Sequence, residues 1–254
     1  MRGRAPRKNN YKEKNKMKVT FDKQTLLNAI TPASSISQSK NTLVSVDGLL
    51  FECPPNPKYG DYDTDQKNAC RISAFDLEKG LRTTIECNVY EEGMFVINTV
   101  KILQIVRAMP DGNITIEIDA EGHVNITGGM SHFEITASSG DNFPSMPMFI
   151  GDKVYNIPQY KIRNVISETV FAVAQNDQRA AFNGALFKIK DGSLTVVGCD
   201  GNRLAASCFS LTDNNTDVQD AEMIIPGKFL GELMKMLRDT EDEVTLIIGR
   251  NPGI

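Results

Sequence analysis

The chain of 254 residues resembles itself, and this internal repeat constrains its fold more than any other feature. Residues 18–34, KVTFDKQTLLNAITPAS, align with residues 154–170, VYNIPQYKIRNVISETV, at a spacing of 136 residues. The spacing has fallen to 124 where Asp76 aligns with Asp200. The first copy therefore holds twelve extra residues, which we place in the Pro-, Gly- and Asp-rich stretch 53–68, a composition typical of a long loop.

Each copy of the repeat is itself divided into halves that begin with a short strand running into a helix. This pattern occurs four times, in residues 18–31, 94–109, 154–169 and 222–238. Asp22 and Asn98 are predicted helix N-caps, and Pro158 and Pro226 are expected at the first helical position. The second and fourth segments align at a spacing of 128 residues.

Runs with strand character lie between these predicted helices, and apolar residues recur within the helices at helical spacing. The predicted strands are Ile114–Ile118, His123–Thr127, His132–Ala137, Leu186–Ile189 and Leu194–Cys199. Helices that each bury one apolar stripe against antiparallel sheet make an α+β protein. We therefore expect repeated strand-helix-strands units, with the helices on one face of antiparallel sheets.

The repeat also predicts the domain boundaries. We expect one domain at residues 17–146 and a second at 147–254, joined near Pro144–Asp152. The first copy includes the two strands 123–127 and 132–137, whereas the chain ends before their equivalents in the second copy. The second domain is therefore expected to be incomplete at its C-terminal end, where an unpaired sheet edge favours association with another chain.

The first sixteen residues differ in charge from the rest of the protein. They carry seven Lys or Arg and one Glu, without hydrophobic periodicity, and we expect a disordered basic extension. This extension is a solvated tail, an arm that touches nucleic acid, or a segment upstream of a true start at Met17. The remainder is acidic, which argues against a protein that coats nucleic acid over its whole surface.

Five cysteines without a CxxC pair predict neither a disulfide framework nor a zinc site, so we expect a cytoplasmic protein. No apolar run is long enough for a membrane span. The two histidines, His123 and His132, lie in predicted hairpins away from any plausible nucleophile, which argues against a catalytic triad. We therefore expect neither a cofactor nor a metal in this protein. We also expect that it is not an enzyme.

Basic residues recur on the predicted helices, and their recurrence suggests a lining that meets phosphates without reading bases. Each one taken alone also fits an ordinary solvated charge. They are Lys23, Lys101, Arg107, Lys161, Arg163, Lys228, Lys235 and Arg238.

The order of short motifs along the chain resembles the bacterial DNA polymerase III beta subunit, the sliding clamp. MKVTFDKQTLL, DGLLFE, AMPDGNITIEI and FEITASSGDNFPSMP are similar to the first domain of that family. QNDQRAAFNGALF, CDGNRLAAS and IIPGKFLGELMKML are similar to its second domain. The run Asp200–Leu204 is close to the family signature Asp-Gly-His-Arg-Leu, with Asn202 in place of His.

The resemblance implies a DNA clamp fold and a DNA polymerase processivity factor. In the family, two subunits of three domains each close into a ring around double-stranded DNA. The ring tethers the polymerase III alpha subunit, the clamp loader and other replication and repair proteins. It further implies that this chain lacks the third domain, without which a homodimer ring is in doubt. By motif match, Lys40 and Asn176 lie in loops that touch DNA, although each also fits an ordinary polar loop residue.

Two further sites follow from the resemblance. A pocket for the peptide motif of partner proteins is implied at Arg179, Phe182, Cys199, Gly201, Asn202, Arg203 and Leu204, where the other interpretation is a turn that supports the core. A dimer interface is implied at Lys101, Phe133 and Ile135, although Phe133 and Ile135 can instead face their own core.

Two other functions compete with the clamp. One is a truncated fragment that forms no ring and only binds clamp partners. The other is a metal-dependent nuclease or polymerase module, for which Asp76, Glu78, Asp200 and the acidic run Asp239–Glu243 are the candidate carboxylates. Because Asp76 and Asp200 occupy equivalent positions in different repeats, a metal site shared between them is not expected.

Overall fold

The computed structural model of the chain describes residues 16–37, 48–55, 67–146, 150–213, 215 and 218–250. The chain divides into two units, a first (Met1–Met146) and a second (Pro147–Ile254). The strands of the first unit are β1 (Met17–Asp22), β2 (Gly48–Cys53), β3 (Ala69–Phe75), β4 (Gly80–Glu86), β5 (Asn88–Glu91), β6 (Gly93–Asn98), β7 (Asn113–Ile118), β8 (His123–Gly128) and β9 (Ser131–Ser139), and its helices are α1 (Lys23–Ser37) and α2 (Thr99–Ala108).

The second unit repeats most of this order. Its strands are β10 (Ile150–Pro158), β11 (Gly184–Lys190), β12 (Ser193–Cys199), β13 (Leu204–Ser210), β14 (Ala221–Pro226) and β15 (Glu243–Arg250), and its helices are α3 (Gln159–Ser167) and α4 (Gly227–Met236). All strand pairings in both units are antiparallel. The predicted α+β class is thus confirmed.

The two units match in strand register as well as in strand order. Gly48 of β2 lies opposite Asn98 of β6. The residues 136 and 128 positions later, Gly184 of β11 and Pro226 of β14, also lie opposite each other. Registers also correspond between β1–β7 and β10–β15 at spacings of 136 and 130. They correspond between β2–β3 and β11–β12 at spacings of 136 and 124, and between β3–β4 and β12–β13 at a spacing of 124 for both strands. The two units therefore share one pattern of pairing.

The units differ in how their sheets are completed. In the first unit β9 pairs with both β8 and β6 and joins nine strands in the order β4-β3-β2-β6-β9-β8-β7-β1-β5. Among the described residues of the second unit, the strands form two sheets, β13-β12-β11-β14 and β10-β15. As a result the inward residues Ile114 and Ile116 of β7 are fully buried, whereas their equivalents Val244 and Leu246 of β15 are half-exposed.

The helix starts follow the sequence signals with one correction. Asp22 accepts a hydrogen bond from the backbone N–H of Thr25 at 2.9 Å, and Asn98 accepts one from Lys101 at 3.1 Å, as predicted for N-caps. Pro158 and Pro226 were expected at the first helical position and instead precede it as N-caps, because both have extended backbone angles (ψ 135° and 134°). No helix in the described part of the chain is long and apolar enough to cross a membrane.

Helix α1 extends further than the sequence pattern indicated. We expected its helical segment to end near residue 31, yet α1 continues across Pro32 to Ser37. Ala33, Ile36 and Ser37 beyond the proline are buried, and Ser37 donates a hydrogen bond of 2.6 Å to the hydroxyl of Thr99. Packing against the core thus outweighs the cost of the missing backbone donor at the proline.

His123, the first residue of β8, contacts an aspartate of the turn between β7 and β8. Nδ1 of His123 lies 2.9 Å from Oδ2 of Asp119, and this hydrogen bond raises the pKa of His123 and lowers that of Asp119. We expect His123 to titrate above the ordinary histidine value of about 6.5 in NMR spectra, and Asp119→Asn to lower its midpoint.

The sign of the associated stability change follows from the raised pKa. The contribution of the His123–Asp119 pair is fully present below the ordinary histidine pKa and is lost as the pH rises through the folded value. Asp119 Oδ1 also accepts the backbone N–H groups of Glu121 and His123, and asparagine keeps that acceptor while removing the charge. A midpoint for His123 that Asp119→Asn leaves unchanged would contradict the assigned contact.

Candidate functional site

The loop before β11 holds a charged and an aromatic side chain in a defined arrangement. Asn176 has a positive φ of 62° and turns the chain. The backbone N–H of Asp177 donates to Oδ1 of Asn183 at 2.8 Å, and Nδ2 of Asn183 donates to the carbonyl of Asp177 at 2.8 Å. The guanidinium carbon of Arg179 lies 4.0 Å from the centre of the Phe182 ring, a cation–π contact. The loop is therefore a closed, internally bonded unit.

The turn between β12 and β13 forms a second such element. The carboxylate of Asp200 accepts the backbone N–H groups of Asn202 (2.9 Å) and Arg203 (3.0 Å). Gly201 has a φ of 91°, which residues with a side chain rarely adopt, and its N–H donates to Sγ of Cys199 at 3.4 Å. Gly201 therefore allows the chain to make a tight turn here.

The two loops meet at Gly201. A Cβ atom at this position would lie 3.2 Å from Nη2 of Arg179, so the absent side chain leaves room for the guanidinium. Leu204, at the start of β13, is 67% exposed. The structure thus brings together the predicted pocket residues of the loop and those of the turn, which are Arg179, Phe182, Cys199, Gly201, Asn202, Arg203 and Leu204.

Two residues of this surface were missed by sequence reasoning. Phe171 is 58% exposed, and the guanidinium of Arg203 lies 6.0 Å from its ring centre. Asp177 accepts hydrogen bonds from Nε and Nη2 of Arg179, both at 3.0 Å. Phe171 resembles an ordinary core aromatic in the sequence, and only its exposure reveals it. Asp177 could have been found from its spacing of two residues from Arg179.

Both aspartates beside the arginines remain ionised over a wide pH range. Hydrogen bonds from the side chain and backbone of Arg179 lower the pKa of Asp177 to about 2. The pKa of Asp200 is also lowered, chiefly by the backbone N–H groups of Asn202 and Arg203. The surface consequently presents arginines, each held by a carboxylate, beside exposed apolar side chains. Such a surface suits a ligand that combines apolar groups with hydrogen-bond acceptors.

Only some of the basic side chains in the predicted lining are exposed to solvent. Lys101 and Arg107 are exposed on α2, and Lys228 and Lys235 are exposed on α4. Lys235 lies 3.2 Å from Glu232. Arg163 on α3 is half-buried.

Three positions of that lining need correction. Lys23 and Lys161 were expected on exposed helix faces, but both are half-buried in ion pairs, Lys23 with Asp111 at 2.9 Å and Lys161 with Asp213 at 3.3 Å. Arg238 was expected on the fourth helix, but α4 ends at Met236 and the backbone is extended from Leu237. Lys40, predicted to touch DNA, lies outside the described residues.

The three residues of the predicted interface differ in their exposure to solvent. Phe133 on β9 is 37% exposed, whereas Ile135 is half-buried and packs against the core of the first unit. Lys101 is exposed near the start of α2. Phe133 and Lys101 therefore remain candidates for contact with another chain, and Ile135 serves its own core as well.

Comparison with known proteins identifies the family. Residues 17–147 match the family model of the DNA polymerase III beta subunit N-terminal domain, and residues 156–252 match that of its central domain. The chain belongs to the DNA polymerase III beta subunit family. The beta sliding clamp of Halalkalibacterium halodurans is 28% identical over 236 residues, which are 92% of this chain and 61% of that protein.

Solved structures of the family share the fold. The DNA polymerase III subunit beta of Pseudomonas aeruginosa is 25% identical and has a TM-score of 0.79, with 92% of this chain and 60% of that chain covered. A second P. aeruginosa structure, a sliding clamp bound to griselimycin, has a TM-score of 0.78 at 24% identity, over 92% of this chain and 60% of that chain. The chain thus spans about three fifths of the length of these relatives.

Proposed function

We propose that the chain supplies the first two domains of a DNA polymerase processivity factor, a non-catalytic sliding clamp that encircles double-stranded DNA in the cytoplasm. The observation that carries the proposal is the match of both units, in order, to the N-terminal and central domains of the beta subunit. The exposed cations of α2 and α4 support it, since they can meet phosphates without reading bases. In such a clamp the topological closure, and not tight binding, retains the DNA.

We further propose that the surface around Arg179 and Leu204 binds a short peptide of partner proteins, among them the polymerase III alpha subunit and the clamp loader. Exposed Phe171 and Leu204 offer apolar contact, and the two arginines offer donors. Griselimycin, which is bound to the P. aeruginosa clamp, is proposed as a ligand of this chain too. Ring closure into a homodimer, with Lys101 and Phe133 at the contact, also belongs to the proposal.

The nuclease alternative has less support from the described residues. The carboxylate of Asp76 accepts the backbone N–H groups of Glu78 (3.0 Å) and Lys79 (2.6 Å). Asp200, its equivalent in the second unit, holds its turn in the same way. Because both carboxylates already stabilise a turn in equivalent places, a structural role accounts for them without a metal.

Retention on circular DNA tests encirclement. The protein is incubated with a bacterial clamp loader and ATP and with either a nicked circular plasmid or the same plasmid linearised, and each mixture is passed through a sizing column at high salt. A ring remains on the circle and slides off the linear form, whereas electrostatic contacts alone are lost from both. Equal loss from both forms would favour the alternative of a fragment that binds only clamp partners.

Charge variants refine this test. Arg107→Glu combined with Lys228→Glu removes two exposed cations of the proposed lining, and we expect weaker and less salt-sensitive DNA association. Lys188→Glu combined with Lys190→Glu provides the charge-matched control, because both residues are exposed cations on strand β11 and not on a helix. The same loss of DNA association in this control would show that the helices have no special role.

A further inference from the structure

Three side chains with metal-binding donors converge in the first unit, at the turn between β7 and β8. Asp119, Glu121 and His123 each offer one ligand atom, and these atoms all lie within 4.8 Å of one another. Nδ1 of His123 is 2.9 Å from Oδ2 of Asp119. Two carboxylates and one imidazole are a combination of donors that suits divalent ions of the first transition row.

The spacing of the ligand atoms fits a single small ion. Zinc binds nitrogen and oxygen ligands at about 2.0–2.2 Å, so two ligands of one ion are about 3.0 Å apart at a right angle and about 3.4 Å apart at a tetrahedral angle. The distance of 2.9 Å between Nδ1 of His123 and Oδ2 of Asp119 therefore fits two ligands of one ion. The third ligand lies on the long, exposed side chain of Glu121, which needs only a small movement to complete the set.

The backbone of the turn holds the first two ligands in place. Oδ1 of Asp119 accepts the backbone N–H groups of Glu121 (3.0 Å) and His123 (2.8 Å), which leaves Oδ2 facing the imidazole. The backbone N–H of Asp119 donates to the carbonyl of His123 at 3.1 Å, and Gly122 turns the chain with a φ of 85°. Asp119 and His123 are thus positioned before an ion arrives, which lowers the entropic cost of binding it.

The site is open to solvent and rich in negative charge. The side chains of His123 and Asp119 are 66% and 43% exposed, so an ion reaches them from water. The carboxylate of Glu134, on β9, adds to the negative potential at His123. Three carboxylates around one imidazole attract a divalent cation. Because a histidine binds a metal in its neutral form, the ion takes the place of the proton between Nδ1 and Oδ2.

We propose that Asp119, Glu121 and His123 form a binding site for a divalent transition-metal ion, with Zn²⁺ as the probe. Three side chains supply ligands, and water completes the coordination because the site is open. The ion ties the two ends of the turn together, since Asp119 precedes the turn and His123 follows it. None of the three residues belongs to the proposed DNA lining, peptide pocket or ring contact, so the site does not depend on the proposed function. This inference departs from the expectation, drawn from the sequence, of a chain without a metal.

A titration of the whole chain with zinc chloride, followed by NMR under reducing conditions, tests the site. The His123 ring signals and the backbone signals of residues 119–123 should shift and then saturate at one ion per chain. A readout at individual residues is needed because the five cysteines also offer ligands to zinc. A large excess of magnesium chloride should not reverse the shifts, since magnesium keeps its waters and prefers oxygen ligands.

Substitutions of the ligands should weaken zinc binding, as followed at the backbone signals of the turn. We expect Glu121→Gln and His123→Ala to raise the zinc concentration at half-saturation by roughly tenfold or more, since even the loss of a residue that only orients a ligand has an effect of that size. The Glu121 side chain makes no hydrogen bond or ion pair with any described residue, so Glu121→Gln should keep the fold. Half-saturation of Glu121→Gln at the parent's zinc concentration overturns the proposal.

His132→Ala is the matched control, because His132 is the other histidine of the chain and is also exposed. Its Nε2 lies 3.3 Å from Oδ1 of Asn125 and 3.9 Å from Oε1 of Glu134, and it belongs to no three-ligand group among the described residues. We expect His132→Ala to bind zinc as the parent does. Equal weakening in His132→Ala and His123→Ala, or shifts that grow with zinc and never saturate, would indicate an adventitious ion only and refute the site.

Discussion

Phe21→Ala is expected to lower the free energy of unfolding of the first unit by about 3–5 kcal/mol, the usual cost of deleting a fully buried phenylalanine ring. Phe21 lies in β1 with no exposed surface, and its ring packs edge-on against Phe51 of β2 at a centroid distance of 6.4 Å. The variant loses the transfer free energy of the ring and leaves a cavity between two strands of the nine-stranded sheet. Urea unfolding followed by circular dichroism measures the change.

The matched control for Phe21→Ala is Tyr90→Ala in the neighbouring strand β5. Tyr90 is 62% exposed, so removing its ring should change the free energy of unfolding by less than about 0.5 kcal/mol. Since the two units need not unfold together, the urea transition is assigned by hydrogen exchange in β1 and in β11. Comparable losses in the two variants would be incompatible with the burial that the structure assigns to Phe21.

Gly198→Ala is expected to destabilise the second unit by about 1–3 kcal/mol through overpacking. Gly198 lies in β12, where an added Cβ atom would be 2.2 Å from the carbonyl oxygen of Thr169. That neighbour is backbone, and Thr169 is itself buried and bonded to the carbonyl of Val165, so it cannot move aside cheaply. Because Cys199 follows directly, the strain should also weaken binding at the proposed pocket.

Gly231→Ala is the control for this prediction. Gly231 lies in α4, and nothing is found within 4 Å of the position of its added Cβ atom. Alanine there should stabilise the helix by roughly 0.5–1 kcal/mol. Thermal unfolding of both variants should move in opposite directions, and a shift of the same sign would mean that the close approach of β12 to Thr169 is not real.

Most of the fold was predictable from the repeat. Matching residues at spacings of 136, 130, 128 and 124 maps four strand registers of the first unit onto those of the second. The registers correspond because a shift of one residue would move the apolar side chains of a strand from the core to the solvent-facing side of the sheet. The helix N-caps at Asp22 and Asn98 could also be predicted, because a short polar side chain at the start of a helix accepts a hydrogen bond from a free backbone N–H.

Other elements could not be predicted from the sequence. The strands β2, β3, β4, β5, β13 and β15 were not among the predicted strands. Strand β3 is buried at every position, so it lacks the alternation that marks a half-buried strand. The end of α1 was also missed, because Pro32 signals a stop that tertiary packing overrides.

Some features of the pocket were expected from the sequence, and others are seen only in the structure. Its residues on the 199–204 turn were expected only because the order of motifs resembles the beta subunit family. The meeting of this turn with Arg179 was decided by the approach of two loops about twenty residues apart in the chain, which no local pattern encodes. The tertiary structure likewise decided which cations are exposed, because Lys23 and Lys161 form ion pairs with aspartates that are far away in the sequence.

The sequence by itself determined the two-fold repeat, the helix N-caps at Asp22 and Asn98 and the family, because each depends on local periodicity or on the order of motifs. The tertiary structure alone decided which charged and aromatic side chains face solvent and which find partners. Those outcomes depend on the distances between segments that are far apart in the chain, and the orientation of Arg179 between Phe182, Asp177 and Gly201 is their clearest example.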